Sequence, residues 1–597
     1  MKQRVTIGVL WLVAGGASCI GHPSPAPQPE WGVALLEVGS SRDAQQEQTA
    51  LRDCLELLGI PYVATSDVVQ AAHRPLIFAG GILTNTQLTP SQRETLYSYV
   101  ERGGVLLSTQ VQGNKFFPLF GIAEAATSRT NFRLLFTGSD DPVLRYLNRP
   151  DERDISLGDP TLYSETVWST EYTPSPGTQV LARYANGKAA LTVNTYGRGL
   201  AYALGLGFKE TTLIPRLARG FEAARHWINW FEPSGDVFRL LLRGLYEDNV
   251  HPFVLVHTVP EGRDSALCLS HDVDAQVSFR NSIAFARMEA SLGVRSTFFV
   301  TTKYFRDAAD IGYYMPENTA WVRQLKELGF EIASHSVSHS FSFDNFPVGS
   351  FEVTPASYDP SHPTIVGEVR VSKQLLDRDL HQQTVGFRAG YLRFPNELLR
   401  VLEECGYVFD SSVSAQWVLT NFPYFGFRQR TLGSEHARIV VVPVNLDDSR
   451  GELETRDFLR PGNQEEALHV WAEVITANAE NNATNCLLIH PTDTTYKLET
   501  ERRLIDSIRG HNIWIGDVGS LVRFWVGRSR LQPTVRGESD GRISIVLNLK
   551  RSDLPSGQVL ALEARPGTPV PNILDATGEP IPFQSRLTND RILLQLP

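Results

Sequence analysis

The sequence predicts a chain of mixed α/β class, in which two α/β domains precede a small β-sandwich. At 597 residues the chain is too long for one hydrophobic core, because single cores rarely exceed about 250–300 residues. Short apolar runs alternate with helix-like segments over two long stretches, as in parallel sheets with crossover helices. The last stretch, 530–597, instead carries short alternating apolar segments between Gly and Pro turns, which predicts a β-sandwich.

The composition and charge limit the classes of partner. Hydrophobic residues make up 42% of the chain and charged residues 20%, so a folded protein is expected and not a disordered one. The formal net charge is −10. Nucleic acid and anionic membrane surfaces are therefore not expected as main partners, because both attract clustered Lys and Arg.

Residues 1–30 predict an export signal followed by a tether. An apolar run at 5–14 follows a positively charged start, and it is shorter than the roughly 20 residues that span a bilayer. The small residues before Cys19 resemble a bacterial lipoprotein cleavage box, except that Gly16 stands where Leu is usual. We expect export to the periplasm or cell envelope, either as a lipoprotein anchored through Cys19, after plain signal cleavage, or with a short N-terminal anchor. The Pro-rich stretch 22–30 predicts a stiff tether.

Residues 31–245 predict the first α/β domain. Apolar strand-like runs alternate with helices expected at 41–58 and 89–102, and three further strands are expected across 179–207. This order resembles the class I glutamine-amidotransferase-like, flavodoxin-like fold. No Cys follows a strand at the position of the nucleophile in that family, so amidotransferase chemistry is not expected. A non-catalytic scaffold is the favoured interpretation, and a module that senses a ligand or contacts glycan is the alternative.

Residues 250–528 predict a second α/β domain with the form of a barrel. Strand-like runs recur with helices between most of them, and they lie at 266–270, 296–301, 330–334, 384–388, 408–411, 439–444, 486–489 and 513–515. About seven such repeats over this length predict a (β/α) barrel. The chemistry of such barrels lies at the carboxyl ends of the strands.

Two of these runs end in residues that bind divalent metals. Asp272 and Asp274 end the first run, and His335 and His339 follow the third. Histidines four residues apart lie one turn apart on a helix and can converge on one ion. Two histidines and one carboxylate form a facial metal site with open positions. One Asp can then bind the ion while the other acts as a general base beside it.

Three more runs end in polar side chains. They supply Arg388 with Tyr391, Asp410, and His490. Each alone has an ordinary structural explanation, as a surface Arg, a helix-capping Asp or a core His. Polar groups at five strand ends of one β/α array together indicate an active site.

These motifs identify a resemblance that covers residues 266–525. The region is similar to the NodB-homology polysaccharide deacetylases of carbohydrate esterase family 4. The second family motif, H-[ST]-x-x-H, is matched in full at 335–339, and the fifth, L-x-H, at 488–490. The first motif, usually T-F-D-D-G, reads S-H-D-V-D, and the third, R-x-P-Y, has Gly390 in place of Pro. The fourth contributes Asp410 but lacks the usual groove Trp at its expected spacing.

The resemblance implies a distorted (β/α) barrel of the NodB type and a metal-dependent deacetylase. Asp274, His335 and His339 would hold the ion, and Asp272 would be the catalytic base. Zinc is the expected metal, and Co²⁺, Ni²⁺ or Fe²⁺ would also suit this ligand set. The substrate would be an N-acetylated amino-sugar polymer of the cell wall or an exported polysaccharide.

The resemblance also implies roles for the other strand ends. Arg388 would hold Asp272 ionised, and the backbone N–H of Tyr391 would stabilise the oxyanion. His490 would protonate the leaving amine, and Asp410 would orient His490.

Two alternatives to a glycan deacetylase stay open. One is a hydrolase of another linear or cyclic amide in the same family, and the other is an inactive, glycan-binding envelope scaffold. Export favours a glycan substrate, while the absent groove Trp mildly favours the scaffold. An aromatic-rich insertion at 340–364 predicts either a substrate-binding lip or a loop that packs over the barrel.

Overall fold

A computed structural model describes residues 30–138, 140–217, 234–306, 312–449, 459–537, 542–565, 570–588 and 590–597. The expected signal, Cys19 and nearly all of the tether lie outside the described residues. Within these ranges, no helix is long and apolar enough to cross a bilayer.

The first α/β region is built on an 11-stranded sheet. The elements from residue 30 to 249 are β1 (Glu30–Trp31), β2 (Val33–Glu37), α1 (Arg42–Leu58), β3 (Tyr62–Thr65), α2 (Val68–Ala71), β4 (Leu76–Gly80), α3 (Pro90–Glu101), β5 (Val105–Thr109), α4 (Phe117–Phe120), β6 (Ile122–Ser128), β7 (Arg133–Phe136), β8 (Asp154–Ser156), β9 (Ser169–Pro174), β10 (Gln179–Tyr184), β11 (Ala189–Tyr196), β12 (Gly199–Leu204) and α5 (Ser234–Asn249). Strands β3-β2-β4-β5-β12 pair in parallel, and β12-β11-β10-β7-β8 continue the sheet antiparallel.

Local sequence accounts for the two long helices of this sheet. Ser41 accepts the Ala44 N–H at the start of α1, and Gly59 ends it at φ 70°, a conformation that suits glycine. Thr89 forms a capping box with Gln92 at the start of α3. The two helices pack on opposite faces of the sheet, as the alternating pattern predicts. The resemblance to a glutamine-amidotransferase-like fold stays a prediction.

The second α/β region is built on a sheet of ten strands. Its elements, with β13 preceding them, are β13 (Val254–Val256), β14 (Ser265–Val273), α6 (Gln276–Ser291), β15 (Thr297–Val300), α7 (Pro316–Glu327), β16 (Glu331–Ser334), α8 (Ser372–Leu380), β17 (Gly386–Phe387), α9 (Leu398–Glu404), β18 (Phe409–Asp410), α10 (Ala415–Val418), β19 (Tyr424–Phe427), β20 (His436–Val441), β21 (Leu446–Asp447), α11 (Gln464–Asn481), β22 (Thr484–Ile489), α12 (Tyr496–Ile508), β23 (Ile513–Gly516) and α13 (Val518–Ser529).

This sheet curls back on itself. Strands β14 to β18 pair in parallel in chain order, and β18 pairs with β20. The chain runs from β20 into β21, which pairs with β22, and β22 pairs with β14. The prediction of a barrel-like α/β domain is therefore confirmed in its coarse form, as a mixed α/β fold with a curled half-barrel sheet, and the NodB type of barrel stays a prediction. Because these strands are parallel, their carboxyl ends lie at one edge, where the predicted site residues follow them.

The C-terminal residues form two four-stranded sheets. Their strands are β24 (Thr534–Gly537), β25 (Ile543–Val546), β26 (Val559–Glu563), β27 (Asn572–Leu574), β28 (Gln584–Leu587) and β29 (Arg591–Gln595). The sheet orders are β1-β24-β25-β27 and β13-β26-β29-β28, and side chains from both share one apolar cluster. Residues 530–597 do not form these sheets alone, since β1 and β13 come from earlier in the chain. Because β1 and β13 lie far from 530–597 in the sequence, no local pattern in that segment indicates that they pair with it.

Candidate metal centre and catalytic site

Strand β14 divides the first motif between two faces of the curled sheet. All nine residues of the strand are buried, and successive side chains point to opposite faces. Asp272 contacts Arg388, which follows β17. His271 points the other way, toward Phe285 and Glu289 of α6. Only the Asp272 face meets the other predicted catalytic residues.

Asp272 is buried and held ionised by Arg388. The Nη1 group of Arg388 donates to Asp272 Oδ1 at 2.8 Å, and the fully buried guanidinium also donates to the Ser411 hydroxyl at 2.9 Å. Burial alone would raise the pKa of Asp272, but the Arg388 guanidinium outweighs it and holds the pKa below its usual range. Asp272 can therefore accept a proton at neutral pH, as a general base must.

Asp274, His335 and His339 converge as the predicted metal ligands. One ligand atom from each lies within 4.8 Å of the other two, and Asp274 Oδ2 is 3.6 Å from His339 Nε2. The Nδ1–H of His335 donates to the Arg388 carbonyl at 2.8 Å, so Nε2 carries the lone pair. This buried Nε2 has no hydrogen-bond partner among the described residues.

The donor set fits a divalent cation. Burial lowers the pKa of His339 to about 3, which keeps the ring in the neutral form that binds metals. A histidine ligand usually donates its second N–H to a carbonyl or carboxylate, and His335 does so. A facial set of two histidines and one carboxylate leaves coordination positions open for water and substrate.

The expected helical spacing of the two histidines is wrong. His335 and His339 lie in the loop after β16, where Ser336 and His339 have positive φ values of 62° and 53°. Glu368 shapes this loop, because its Oε2 accepts the Val337 N–H at 2.9 Å and the Ser338 N–H at 2.7 Å. The turned loop brings the imidazole centroids to 4.9 Å. Glu368 lies in a segment with no motif, so the sequence offers no signal for its role.

Gly390, which stands where the third motif usually has Pro, lies against His339, one of the predicted metal ligands. A Cβ at this position would lie 2.6 Å from Cδ2 of His339, well inside van der Waals contact. The ring of His339 thus occupies the space that a side chain at 390 would need. The departure from the family motif has a steric reason in this chain.

The predicted partner of His490 is wrong. His490 Nδ1 lies 2.7 Å from Oδ1 of Asp448, and Asp448 also accepts from Lys497 at 2.7 Å. Burial lowers the pKa of His490, but Asp448 and then Asp274 outweigh it and raise the pKa to about 10. His490 is therefore a protonated acid whose Nε2 lies 3.7 Å from Asp274 Oδ2. In the sequence, the adjacent residues Asp447 and Asp448 follow the apolar run 439–446, and this pair is the pattern that could have indicated a role for Asp448 at the site.

Asp410 supports the segment of the third motif, 388–391, and is not the residue that orients His490. Its Oδ1 accepts from the Ser412 hydroxyl at 2.5 Å, and Ser412 Oγ accepts the Ala389 N–H at 2.8 Å. Burial raises the pKa of Asp410 to about 7. Strand β18 ends beside β17, so Asp410 reaches the segment that carries Arg388 and Tyr391 while His490 follows a strand on the far side of β14.

The rim of the site exposes two aromatic rings. Tyr391 is 51% exposed and Phe341 66%, with ring centroids 5.4 Å apart. The Tyr391 ring lies 4.6 Å from His339, and the Arg393 guanidinium lies 3.9 Å over Phe341. Other aromatics of the 340–364 insertion pack inward, including Phe343. The insertion therefore packs over the barrel through its inner aromatics while Phe341 stays exposed beside Tyr391, and its role as a substrate-binding lip stays a prediction.

Trp417 does not join this rim by any described contact. It is 61% exposed on α10, and that helix packs against Ile214–Leu217 of the first α/β region.

Comparison with known protein families gives a match within the second α/β region. Residues 284–409 match a family model described as polysaccharide deacetylase. The match supports a hydrolase domain of this kind. The matched range contains His335, His339, Arg388 and Tyr391 and ends before Asp410 and His490, and it begins after Asp272 and Asp274. No curated protein matches the chain.

Several solved structures resemble part of the chain at low identity. A Mycobacterium smegmatis protein described as a polysaccharide deacetylase is 18% identical over 45% of this chain and 93% of its own, with a TM-score of 0.33. A chitin deacetylase from Colletotrichum lindemuthianum is 16% identical over 45% and 89%, with a TM-score of 0.30. A CE4 family pseudoenzyme from Bacillus anthracis is 12% identical over 44% and 66%, with a TM-score of 0.27.

Proposed function

We propose that this protein is a metal-dependent deacetylase that hydrolyses the N-acetyl group of an amino-sugar polymer. The convergence of Asp274, His335 and His339, with the Nε2 of His335 lacking a hydrogen-bond donor, carries the proposal. Zinc is the metal we propose. When bound, it supplies Lewis-acid polarisation of the acetyl carbonyl and lowers the pKa of water from 15.7 toward about 7.

The chain's own residues would perform the proton transfers. Asp272 accepts the proton of the attacking water, and its low pKa keeps it ready to do so. His490 donates a proton to the departing amide nitrogen, so that the C–N bond breaks to give acetate and an amine. Asp448 keeps that imidazole protonated and oriented. The backbone N–H of Tyr391 is the proposed oxyanion donor.

The open aromatic rim supports a sugar polymer over a small amide. Phe341 and Tyr391 present exposed rings beside His339, and aromatic faces suit the apolar faces of sugar rings. A small cyclic amide would not need a binding surface, such as these two rings, that extends beyond the proposed metal ligands. The presence of base, acid and ligand set together argues against an inactive scaffold.

Acetate release tests the proposal. Purified protein with zinc should release acetate from N-acetylated chitooligosaccharides or from peptidoglycan, while Asp272→Asn and His335→Ala should not. A small cyclic amide serves as the comparison substrate. Turnover of the cyclic amide alone would assign the other hydrolase activity, and equal acetate release by wild type and both variants would end the proposal.

We also propose that the enzyme acts in the periplasm or cell envelope, attached through Cys19. Radiolabelled palmitate should enter the full-length protein and be absent from Cys19→Ala. Labelling of neither protein, with secretion intact, would instead support a plain cleaved signal.

A further inference from the structure

A second group of metal-binding side chains lies on the other face of β14. His271 of that strand, Glu289 of α6 and Glu501 of α12 form this group, here called the buried triad. One ligand atom from each lies within 4.8 Å of the other two. The three residues are 1%, 0% and 0% exposed, so the triad is closed to solvent.

The histidine of the triad is oriented as a metal ligand. His271 Nδ1 lies 3.1 Å from the Ile489 carbonyl oxygen, which can only accept, so Nδ1 carries the hydrogen. The second nitrogen, Nε2, is hydrogen-bonded to Glu289 Oε1 at 2.7 Å and lies 3.7 Å from Glu501 Oε1, so a metal ion bound here would replace the proton that His271 and Glu289 share. His335 uses the same arrangement, with Nδ1 on a backbone carbonyl and Nε2 facing its cluster.

The two carboxylates differ in how they are satisfied. Glu289 accepts the Ser296 hydroxyl at 2.6 Å through Oε2, which fixes its orientation. Neither oxygen of Glu501 has a permanent N–H or O–H donor among the described residues, although both atoms are buried; Glu289 lies within hydrogen-bond reach when one of the two carboxyl groups is protonated. An ionised carboxylate buried without a donor is strongly unfavourable. Glu501 therefore requires a positive partner inside the triad or a proton of its own.

The surroundings favour a bound cation. The His271 ring stacks on Phe298 at 4.7 Å and meets the edge of Phe285 at 5.1 Å, so the shell around the triad is apolar. If a metal ion took the place of the proton between His271 and Glu289 and both glutamates were ionised, the three side chains would carry a charge of −2, which one divalent cation would neutralise. Without the ion, Glu501 keeps a proton of its own. Structural zinc sites are closed and four-coordinate, and the triad supplies four donor atoms if Glu501 binds through both of its buried oxygens.

We propose that the buried triad binds a divalent cation of the zinc type, as a structural site distinct from the candidate catalytic centre. The ion would join β14 to α6 and α12 directly behind Asp272. It would act on stability and not on the chemical step. The proposal does not depend on the deacetylase activity.

Zinc stoichiometry of the full chain tests this proposal. We expect wild type to hold two zinc ions per chain by elemental analysis, and His335→Ala/His339→Ala to keep one. Glu501→Gln should also keep one. Its matched control is Glu499→Gln, on the same helix but exposed, which should keep two. One ion in wild type that disappears in the double histidine variant would overturn the proposal.

Anomalous diffraction at the zinc edge shows whether the buried triad binds zinc even if the Glu501→Gln variant does not fold. Crystals of wild type grown with zinc should show a peak between His271 Nε2 and the two glutamates. A peak at His335 and His339 with none at the triad would overturn the proposal and show that Glu289 and Glu501 share a proton instead. Deacetylase failure with both peaks present would leave the triad assignment intact.

Discussion

Strand β14 places two histidine–carboxylate clusters back to back, and they differ in access. The cluster of Asp274, His335 and His339 lies at an edge where exposed aromatic rings reach solvent. The buried triad uses similar side chains behind a shell of Phe rings. The chemistry of the ligands is alike, so surroundings separate a candidate catalytic site from a candidate structural one.

The two clusters also differ in the titratable side chains that lie beside them. Asp272 and His490 supply a low-pKa base and a high-pKa acid on the open side, and pairs of groups with separated pKa values are typical of active sites. On the closed side, burial and then Glu289 raise the pKa of Glu501 well above its usual value, and no substrate could reach it. Activity is therefore expected to depend on the open side alone.

The largest effect expected is on Asp272. Asp272→Asn should lower kcat by about 10²–10⁴-fold, the usual range for a general base, with zinc content unchanged because Asp272 is not a proposed ligand. Glu501→Gln should change kcat less than about two-fold while lowering the melting temperature. Steady-state acetate release and zinc analysis of both variants measure the contrast. An active Asp272→Asn variant, or a Glu501→Gln variant that is folded but inactive, would contradict the expected difference between the two clusters.

A smaller loss is expected from Gly390→Ala. The new methyl group would lie 2.6 Å from the His339 ring, so that ligand must move, and we expect zinc affinity at the open cluster to fall about 10–100-fold. Competition with a chelating dye measures the affinity. Gly510→Ala is the control, because a Cβ there meets nothing within 4 Å. Equal affinity in both variants would show that the loop adjusts without cost.

The pH profile distinguishes the two candidate partners of His490. Because His490 must be protonated to donate, activity should fall as pH rises through its pKa, which lies at about 10. Asp448→Asn removes the charge that raises this pKa, so the alkaline limb of kcat/KM should move about 1–3 units lower. Asp410→Asn should leave the limb in place. A shift in Asp410→Asn and not in Asp448→Asn would reverse the assignment.

The smallest effect expected is at the aromatic rim. Phe341→Ala should raise KM for a long oligosaccharide about five-fold, roughly 1 kcal/mol of lost aromatic contact, with kcat nearly constant. Trp417→Ala, which removes an exposed ring from α10, should leave KM unchanged. Parallel kinetics on short and long substrates test this. A KM effect at Trp417 would instead extend the substrate path toward the first α/β region.

Much of the architecture was readable from local patterns. Apolar runs ending in Asp, His and Arg predicted both the parallel strands and the edge where their side chains meet, because carboxyl ends of parallel strands share one edge. The helix starts expected at Ser41 and Thr89 lie within a residue of the observed ones. Partners that lie far apart in sequence were not readable. Asp448, Glu368 and the edge strands β1 and β13 are examples.

By itself the sequence determined the residue types available for chemistry and their order along the strands, since periodicity and motif spacing are local properties. Only the tertiary structure decided that Asp448 and not Asp410 contacts His490, and that a turned loop and not a helix joins His335 to His339. It also decided that His271 faces Glu289 and Glu501. These are contacts between segments far apart in the chain, and their geometry depends on how the whole sheet curls and packs.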